Sequence, residues 1–158
     1  MLPQIAAWPA PFRLTIPRAS QAGSLPSRWY SRRVLDHLSL GVTDFQRAIH
    51  FYDAALAPLG YVRVWTDDAA AGYGEPGGED RLSVKARADA AAAGPGAHLA
   101  LTAPSITAVD AVHAAAVRSG GHDDGAPGPR PHYGVGYYAA FVRDPDGNKL
   151  EAVHHGVR

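Results

Sequence analysis

The chain has 158 residues, is 46% hydrophobic and contains no cysteine, so it fits one globular domain and excludes disulfide scaffolds, thiolate metal sites and cysteine nucleophiles. Its formal net charge is zero, but residues 1–33 carry five arginines and no acid, which leaves the remainder at −5. A net negative charge argues against nucleic-acid binding. No apolar run approaches the ~20 residues that a membrane helix requires.

The first 33 residues contain five prolines and show neither helical nor alternating hydrophobic periodicity. They lack the apolar core of a secretion signal, and the prolines oppose the amphipathic helix of a transit peptide. We interpret them as a tail outside the domain, either flexible or upstream of the true translation start. We therefore expect one domain at residues 34–158 in a cytoplasmic protein.

The first structural unit, module one, spans about residues 34–88. It opens with an alternating strand in which Leu38 and Leu40 share one face and His37 occupies the other. An amphipathic helix follows and stops near Gly60. Three segments complete the module: a strand at 61–65, a Gly-rich hairpin region at 72–80 and a strand at 81–86.

The same pattern restarts after a Gly-Pro-Gly breaker at residues 94–96 and defines module two, about residues 96–155. His37 corresponds to His98 and Gly60 to Gly121, both at an offset of 61 residues. Agreement of strand, helix, terminating glycine and offset indicates an internal duplication of a βαβββ unit. The sequence therefore predicts an α+β domain of two paired modules, with a Gly/Pro-rich loop before the final hairpin.

The final hairpin turns at Asp144–Gly147, where Pro and Gly favour a tight turn. The spacing of its acids does not match a calcium loop, so we interpret both aspartates as turn residues. A four-residue loop would place Ala140 opposite Glu151 and Tyr138 opposite Val153. Glu151 and Tyr138 would then point away from the helices.

Three side chains could bind a metal ion: His37, His98 and Glu151. Each lies on the side of a predicted strand that faces away from the helices, and the two histidines are related by the repeat. A carboxylate in the apolar strand around Glu151 needs a compensating partner. Two imidazoles and one carboxylate leave coordination positions open, as Lewis-acid or oxygen chemistry at a divalent ion requires. The alternative is that each histidine simply bonds to backbone at a sheet edge.

The segments "LDHLSLGVTD", "AHLALTA" and "DPDGNKLEAV" resemble the vicinal-oxygen-chelate superfamily, which includes glyoxalases, bleomycin- and fosfomycin-resistance proteins and extradiol dioxygenases. The resemblance covers nearly the whole domain from Val34 to His155. It implies paired βαβββ modules in an open, cup-shaped mixed sheet around the metal. It also implies a substrate that chelates the metal through two adjacent oxygens.

Glyoxalases of this superfamily usually add a fourth ligand from the last strand of module one. The repeat sets Ser83 against Glu151, so that second carboxylate is absent from the predicted position, although Glu75, Glu79 or Asp80 could reach in from the Gly-rich region. Around the site, Arg130 could bind a carboxylate or phosphonate, and Tyr138 could donate to a developing oxyanion. Tyr133 and Ser83 are further candidates for contact with substrate, although the loop could equally be a structured lid with Arg130 a solvated charge. The remaining histidines, His155 among them, have no repeat partner and receive no role.

We expect an enzyme in which a divalent ion (Fe, Mn, Ni or Zn) on His37, His98 and Glu151 binds a small substrate for glyoxalase-like lyase or isomerase chemistry. Two alternatives stay open. One is an Fe(II) extradiol-type dioxygenase, and the other is a metal-free protein that binds a drug or metabolite. A homodimer is expected from the resemblance, with no nucleic acid or membrane partner.

Overall fold

The computed structural model describes residues 35–156, and the tail predicted for residues 1–33 lies outside them. Module one contains four strands, one α-helix and a short 3-10 turn: β1 (Leu38–Val42), α1 (Phe45–Leu56), the turn (Ala57–Leu59), β2 (Val62–Thr66), β3 (Ala70–Gly74) and β4 (Leu82–Ala86). Module two repeats the arrangement: β5 (Leu99–Thr102), α2 (Ile106–Arg118), β6 (His122–Pro129), β7 (Tyr137–Arg143) and β8 (Lys149–His155).

Each module forms its own four-stranded mixed sheet, ordered β1-β4-β3-β2 in module one and β5-β8-β7-β6 in module two. The first and last strands of each module are parallel neighbours, and the other pairs are antiparallel. The predicted α+β class and the two βαβββ modules are therefore confirmed. Among the described residues, no helix is both long enough and apolar enough to cross a membrane.

Side-chain hydrogen bonds cap the start of both helices, and the first helix stops near Gly60 as the sequence predicts. The Asp44 side chain caps α1 by accepting a hydrogen bond from the backbone N of Arg47 at 3.0 Å. The turn after α1 ends at Gly60, whose φ of 82° favours glycine. In module two Ser105 caps α2 through the backbone N of Ala108 at 3.1 Å.

The helices cover one side of the sheets and bury a core there. In module one Phe51, Tyr52 and Leu56 of α1 pack against the sheet residues Leu82 and Val84, all fully or almost fully buried. The cluster continues into module two through Ala116, Val142 and Leu150. A second cluster lies between α2 and its own sheet around Val109, Val112, Ala140 and Ala152. The two helices also contact each other.

Two strands lie where the sequence predicts Gly- or Pro-rich connections. β6 contains Pro127 and Pro129 but is the edge strand of its sheet, where a missing backbone donor is tolerated. Its ladder with β7 is irregular at two places. In β3, Gly72 serves close packing and not a turn, because a Cβ there would lie 2.1 Å from the indole Nε1 of Trp65.

The predicted register of the final hairpin is wrong by one residue. β7 and β8 pair with Arg143 opposite Lys149, which puts Phe141 opposite Glu151 and Tyr138 opposite His154. The loop therefore has five residues, 144–148, closed by a bond from the backbone N of Asp144 to the carbonyl O of Asn148 at 2.9 Å. Because side chains alternate along a strand, the shift moves Tyr138 to the helix side of the sheet.

We call this loop the DPDGN turn, and its first aspartate is buried between the modules. The Asp144 carboxylate is 1% exposed. It accepts hydrogen bonds from the backbone N of Asp146 (2.9 Å), the backbone N and side chain of Asn148 (both 2.8 Å) and the hydroxyl of Tyr52 on α1 (2.7 Å). Four donors compensate a charge that would otherwise be costly to bury.

The second aspartate of the turn extends the connection to the start of α1. Asp146 accepts hydrogen bonds from the backbone N of Thr43 at 2.9 Å and from the Thr43 hydroxyl. The Arg47 guanidinium lies 3.5 Å from the same carboxylate. Both aspartates thus shape the turn or its surroundings, and a loop of module two holds a helix of module one.

We expect Tyr52→Phe to lower the free energy of unfolding by about 1 kcal/mol, because it removes one buried hydrogen bond and leaves Asp144 with three donors. Asp144→Ala should cost about 3 kcal/mol, because it leaves several buried donors without an acceptor. Urea denaturation measures both. The matched control is Tyr61→Phe, since the partly buried Tyr61 packs against the same core cluster but makes no contact with Asp144. Equal effects of Tyr52→Phe and the control would contradict the assignment.

The same contact predicts a pH dependence. Burial, followed by the negative charge of Asp144, raises the pKa of Tyr52 well above its ordinary value of 10.0. The unfolded chain ionises this phenol above about pH 10, whereas the folded chain retains the proton. The stability advantage of the parent over Tyr52→Phe should be constant below pH 10 and shrink as the pH rises towards 11. An advantage that grows in this range would contradict the prediction.

Candidate active site

Glu151 lies in the middle of β8, between Leu150 and Ala152, which both pack towards the helices. Its side chain therefore points to the opposite side of the sheet, which we call the outer face. The carboxylate is 2% exposed. Its Oε1 accepts a hydrogen bond from the Tyr137 hydroxyl at 2.7 Å, and its Oε2 lies 3.1 Å from Nε2 of His98.

His98 directly precedes β5 and reaches the same outer face. In the ladder between β5 and β8, Ala100 is opposite Glu151, so a side chain two residues earlier stands on the same side. The His98 side chain is 42% exposed and its ring centroid is 6.2 Å from that of Phe141. The structure thus brings together two of the three predicted ligands, one of them accessible and one buried.

The corresponding place in module one is occupied by a pair of serines. Ser39 is opposite Ser83 in the ladder of β1 and β4, as Ala100 is opposite Glu151 in module two. Ser83 is 1% exposed, and its hydroxyl lies 2.8 Å from that of Ser39. The two modules have the same register, so Ser83 is the structural counterpart of Glu151. No carboxylate replaces it at that position.

His37 stands apart from the other two predicted ligands. It precedes β1 of module one, its side chain is 50% exposed, and its Nδ1 lies 3.0 Å from Oδ2 of Asp36. The contact with His37 lowers the pKa of Asp36. Within residues 35–156 no three His, Asp or Glu side chains converge as a metal-binding group. Among these residues, therefore, the three predicted ligands do not form one group, and only His98 and Glu151 lie together.

Tyr138 does not reach the outer face, so the orientation predicted for it is wrong. The register places it on the helix side, where its hydroxyl donates a hydrogen bond to Asp110 of α2 at 2.9 Å. That bond is the main cause of a raised Tyr138 pKa. The error follows from counting four residues in the turn, because one more residue reverses every side chain of β7.

Tyr137 occupies the place that the sequence assigned to its neighbour. Burial, then the hydrogen bond to Glu151, raises the pKa of Tyr137 to about 12, so its hydroxyl is a neutral donor at physiological pH. Tyr133 lies beside it, with ring centroids 5.2 Å apart, and is 58% exposed. Only a correct loop length would have identified Tyr137 from the sequence.

Arg130 contributes a positive charge to the outer face. Its guanidinium donates hydrogen bonds to the carbonyl oxygens of Ala126 at 2.7 Å and Pro129 at 3.3 Å. The same group lies 5.8 Å from the ring centroid of Phe141, and the ammonium of Lys149 lies 4.7 Å from it. Phe141 is opposite Glu151 in the ladder, so both cations flank the outer face near the carboxylate.

Comparison with known proteins agrees with this fold. The sequence model of the family described as the Glyoxalase/Bleomycin resistance protein/Dioxygenase superfamily matches residues 34–152. No curated protein matches the chain significantly.

Several solved structures are similar. A glyoxalase/bleomycin resistance protein from Albidiferax ferrireducens T118 is 33% identical, with 78% of this chain and all of that chain covered and a TM-score of 0.67. A putative glyoxalase from Bacillus halodurans is 25% identical, with 79% and 98% covered and a TM-score of 0.61. A variant of glyoxalase I from Zea mays is 26% identical, with 75% of this chain but only 45% of that chain covered and a TM-score of 0.58.

Proposed function

The chain belongs to the glyoxalase/bleomycin resistance protein/dioxygenase superfamily, and from that premise we propose that it is a metal-dependent enzyme with glyoxalase-like lyase or isomerase chemistry. Its substrate is a small molecule that chelates a divalent ion through two adjacent oxygens. The observation that carries the proposal is the buried Glu151 carboxylate with His98 beside it on an accessible sheet face. A buried acid beside an accessible imidazole is typical of a functional site.

The donor atoms suit a divalent ion such as Fe, Mn, Ni or Zn. Two ligands of one ion with bonds of about 2.1 Å stand about 3.0 to 3.4 Å apart. Nε2 of His98 and Oε2 of Glu151 are 3.1 Å apart. In His37 the contact between Nδ1 and Asp36 leaves Nε2 available, which is the usual arrangement of a metal-binding imidazole and its carboxylate partner.

The separation of His37 from the other two ligands favours a site shared between two copies of the chain. We infer a homodimer in which His37 of one copy completes the site formed by His98 and Glu151 of the other. Superfamily members often pair, sometimes with each metal site built from two chains. A two-fold axis would create two identical sites per dimer.

The bound ion would act as a Lewis acid that polarises a substrate oxygen and favours its anionic form. Side chains of the protein would supply proton transfer, orientation of the carboxylate and binding of the substrate. Glu151 can hold or move a proton next to the substrate, and the Tyr137 hydroxyl fixes the orientation of that carboxylate through one oxygen. Arg130 offers a positive charge to an anionic substituent of the substrate.

The serine pair limits the chemistry. A second carboxylate at the Ser83 position would let two acids exchange a proton across the substrate, as in glyoxalase I, but the Ser39 and Ser83 hydroxyls are not bases at neutral pH. We therefore propose chemistry that needs one base. Ser83 is as buried as Glu151, and its hydroxyl lies 2.8 Å from that of Ser39, so we propose that this hydroxyl pair lines the site without acting as a base.

A second candidate function is Fe(II)-dependent oxygen chemistry of the extradiol type. What favours it is the predicted donor set of two histidines and one carboxylate, together with Ser83 at the position that corresponds to Glu151. That set leaves open positions for a chelating substrate and for oxygen.

Metal binding is the first test. Protein purified without chelators and offered Mn²⁺, Ni²⁺, Zn²⁺ or anaerobic Fe²⁺ should bind one ion per chain. His98→Ala and Glu151→Gln should each weaken binding by more than about 100-fold, since even loss of a ligand's supporting partner costs about 10- to 100-fold. The control is His50→Ala, a surface position on α1. Calorimetry measures the affinity. Absence of binding, or full affinity of Glu151→Gln, would reject the enzyme and favour a metal-free binding protein.

Complementation tests whether the site is shared. Each variant alone, His37→Ala or Glu151→Gln, should still form dimers. These dimers should contain no bound metal. After co-expression, about half of the dimers should combine one variant of each kind, and each of these should contain one intact site. Metal content should therefore recover to about a quarter of the parental value. No recovery in dimers verified by analytical ultracentrifugation would mean that the ligands do not combine across the interface.

A further inference from the structure

A group of rings surrounds a cavity at the end of the outer face, beyond Glu151. Its volume is about 490 Å³, and it is lined by Tyr133, Gly134, Val135, Tyr137 and His155. The ring centroids of Tyr133 and Tyr137 are 5.2 Å apart, and those of Tyr137 and His155 are 4.9 Å apart with nearly perpendicular planes. We call these three rings the ring clamp.

The ring clamp presents apolar surface to solvent. Tyr133 is 58% exposed and Val135 is 87% exposed, whereas most large apolar side chains of the domain are covered. None of the residues that line the cavity is a Lys, Arg, Asp or Glu. Exposed apolar surface around a concavity without formal charge is typical of a site for an uncharged, apolar ligand group.

The backbone holds the clamp in place before any ligand binds. The loop that carries Tyr133 is fastened to the end of β8 by a hydrogen bond from the backbone N of Gly156 to the carbonyl O of Gly136 at 2.8 Å. Gly136 has a φ of 72°, which favours glycine, and a Cβ there would lie 3.1 Å from the Gly156 backbone, so a larger residue would require that backbone to shift. The backbone N of Tyr133 also bonds to the carbonyl O of Arg130 at 2.9 Å. A loop held in this way loses less backbone conformational entropy when a ligand binds.

Tyr137 connects the cavity to the carboxylate. Its ring lines the cavity, while its hydroxyl bonds to Glu151 at 2.7 Å. A molecule whose polar end reaches Glu151 would therefore place its next few atoms against the Tyr137 ring and, beyond it, Tyr133 and His155. Flat rings in edge or offset contact with such side chains bind more tightly than simple burial of their surface would predict.

We propose that the ring clamp binds an aromatic ring, so that the substrate of the function proposed above is an aryl compound carrying its two adjacent oxygens next to the ring. The inference rests on that proposed function for the end of the substrate that chelates the metal. The ring clamp itself recognises the aromatic end of the substrate. The ring clamp therefore favours aryl substrates over small aliphatic hydroxy acids or ketones that chelate the metal in the same way.

The test compares two probes with the same chelating group, benzohydroxamate and acetohydroxamate. On Zn²⁺-loaded full-length protein, calorimetry should give benzohydroxamate a dissociation constant about tenfold lower than acetohydroxamate, the effect of one or two ring contacts. Tyr133→Ala should reduce this ratio towards one. Tyr137→Phe retains the ring and loses only the hydroxyl, so it should change the affinity for both probes together and leave the ratio unchanged.

A metal-free arm separates this inference from the proposed function. Saturation transfer from metal-free protein should reach the phenyl protons of benzohydroxamate more strongly than the methyl protons of acetohydroxamate, and Tyr133→Ala should abolish the difference. Equal affinities on loaded protein together with equal transfer on metal-free protein would overturn the ring clamp. If the protein takes up no metal, the proposed function fails, and the transfer experiment alone upholds or rejects the clamp.

Discussion

The burial of one carboxylate, Asp144, is the constraint on which the arrangement of the two modules depends. A charge with almost no exposure is stable only when donors surround it, and here one of the four donors, the Tyr52 hydroxyl, comes from the other module. Asp146 adds contacts to Thr43 at the start of α1. The turn that carries both aspartates leads directly into β8. The strand with Glu151 is therefore fixed relative to module one by polar contacts as well as by the shared apolar core.

The sequence predicted most of the fold because its strongest signals are local and repeated. Alternation around Leu38, the amphipathic helix and the 61-residue offset that relates His37 to His98 and Gly60 to Gly121 indicate duplicated βαβββ modules. In the structure, the first and last strands of the two modules pair in the same register, so Ser83 occupies the position that corresponds to Glu151. The sequence did not predict the positions of the strands β3 and β6. It does not show that Gly72 packs against an indole or that the prolines of β6 lie in an edge strand.

The site was less predictable because it depends on register and on the arrangement of two modules. Side chains alternate with a period of two, so one additional residue in the DPDGN turn exchanges the roles of Tyr137 and Tyr138. The burial of Asp144 requires the longer loop, and no local pattern reveals that requirement. The distance of His37 from His98 depends on how the modules pack. The repeat shows which residues are equivalent, but it does not determine whether equivalent residues meet in one chain.

The hydrogen-bonded pair of Ser39 and Ser83 also breaks the internal symmetry of the proposed site. Two equivalent modules with two carboxylates would offer a bound molecule a base on either side. With Glu151 as the single acid, a proton could be taken from and returned to one face of a trigonal carbon only. In the proposed chemistry, a prochiral intermediate would therefore be protonated from the Glu151 side, and the product would have one handedness.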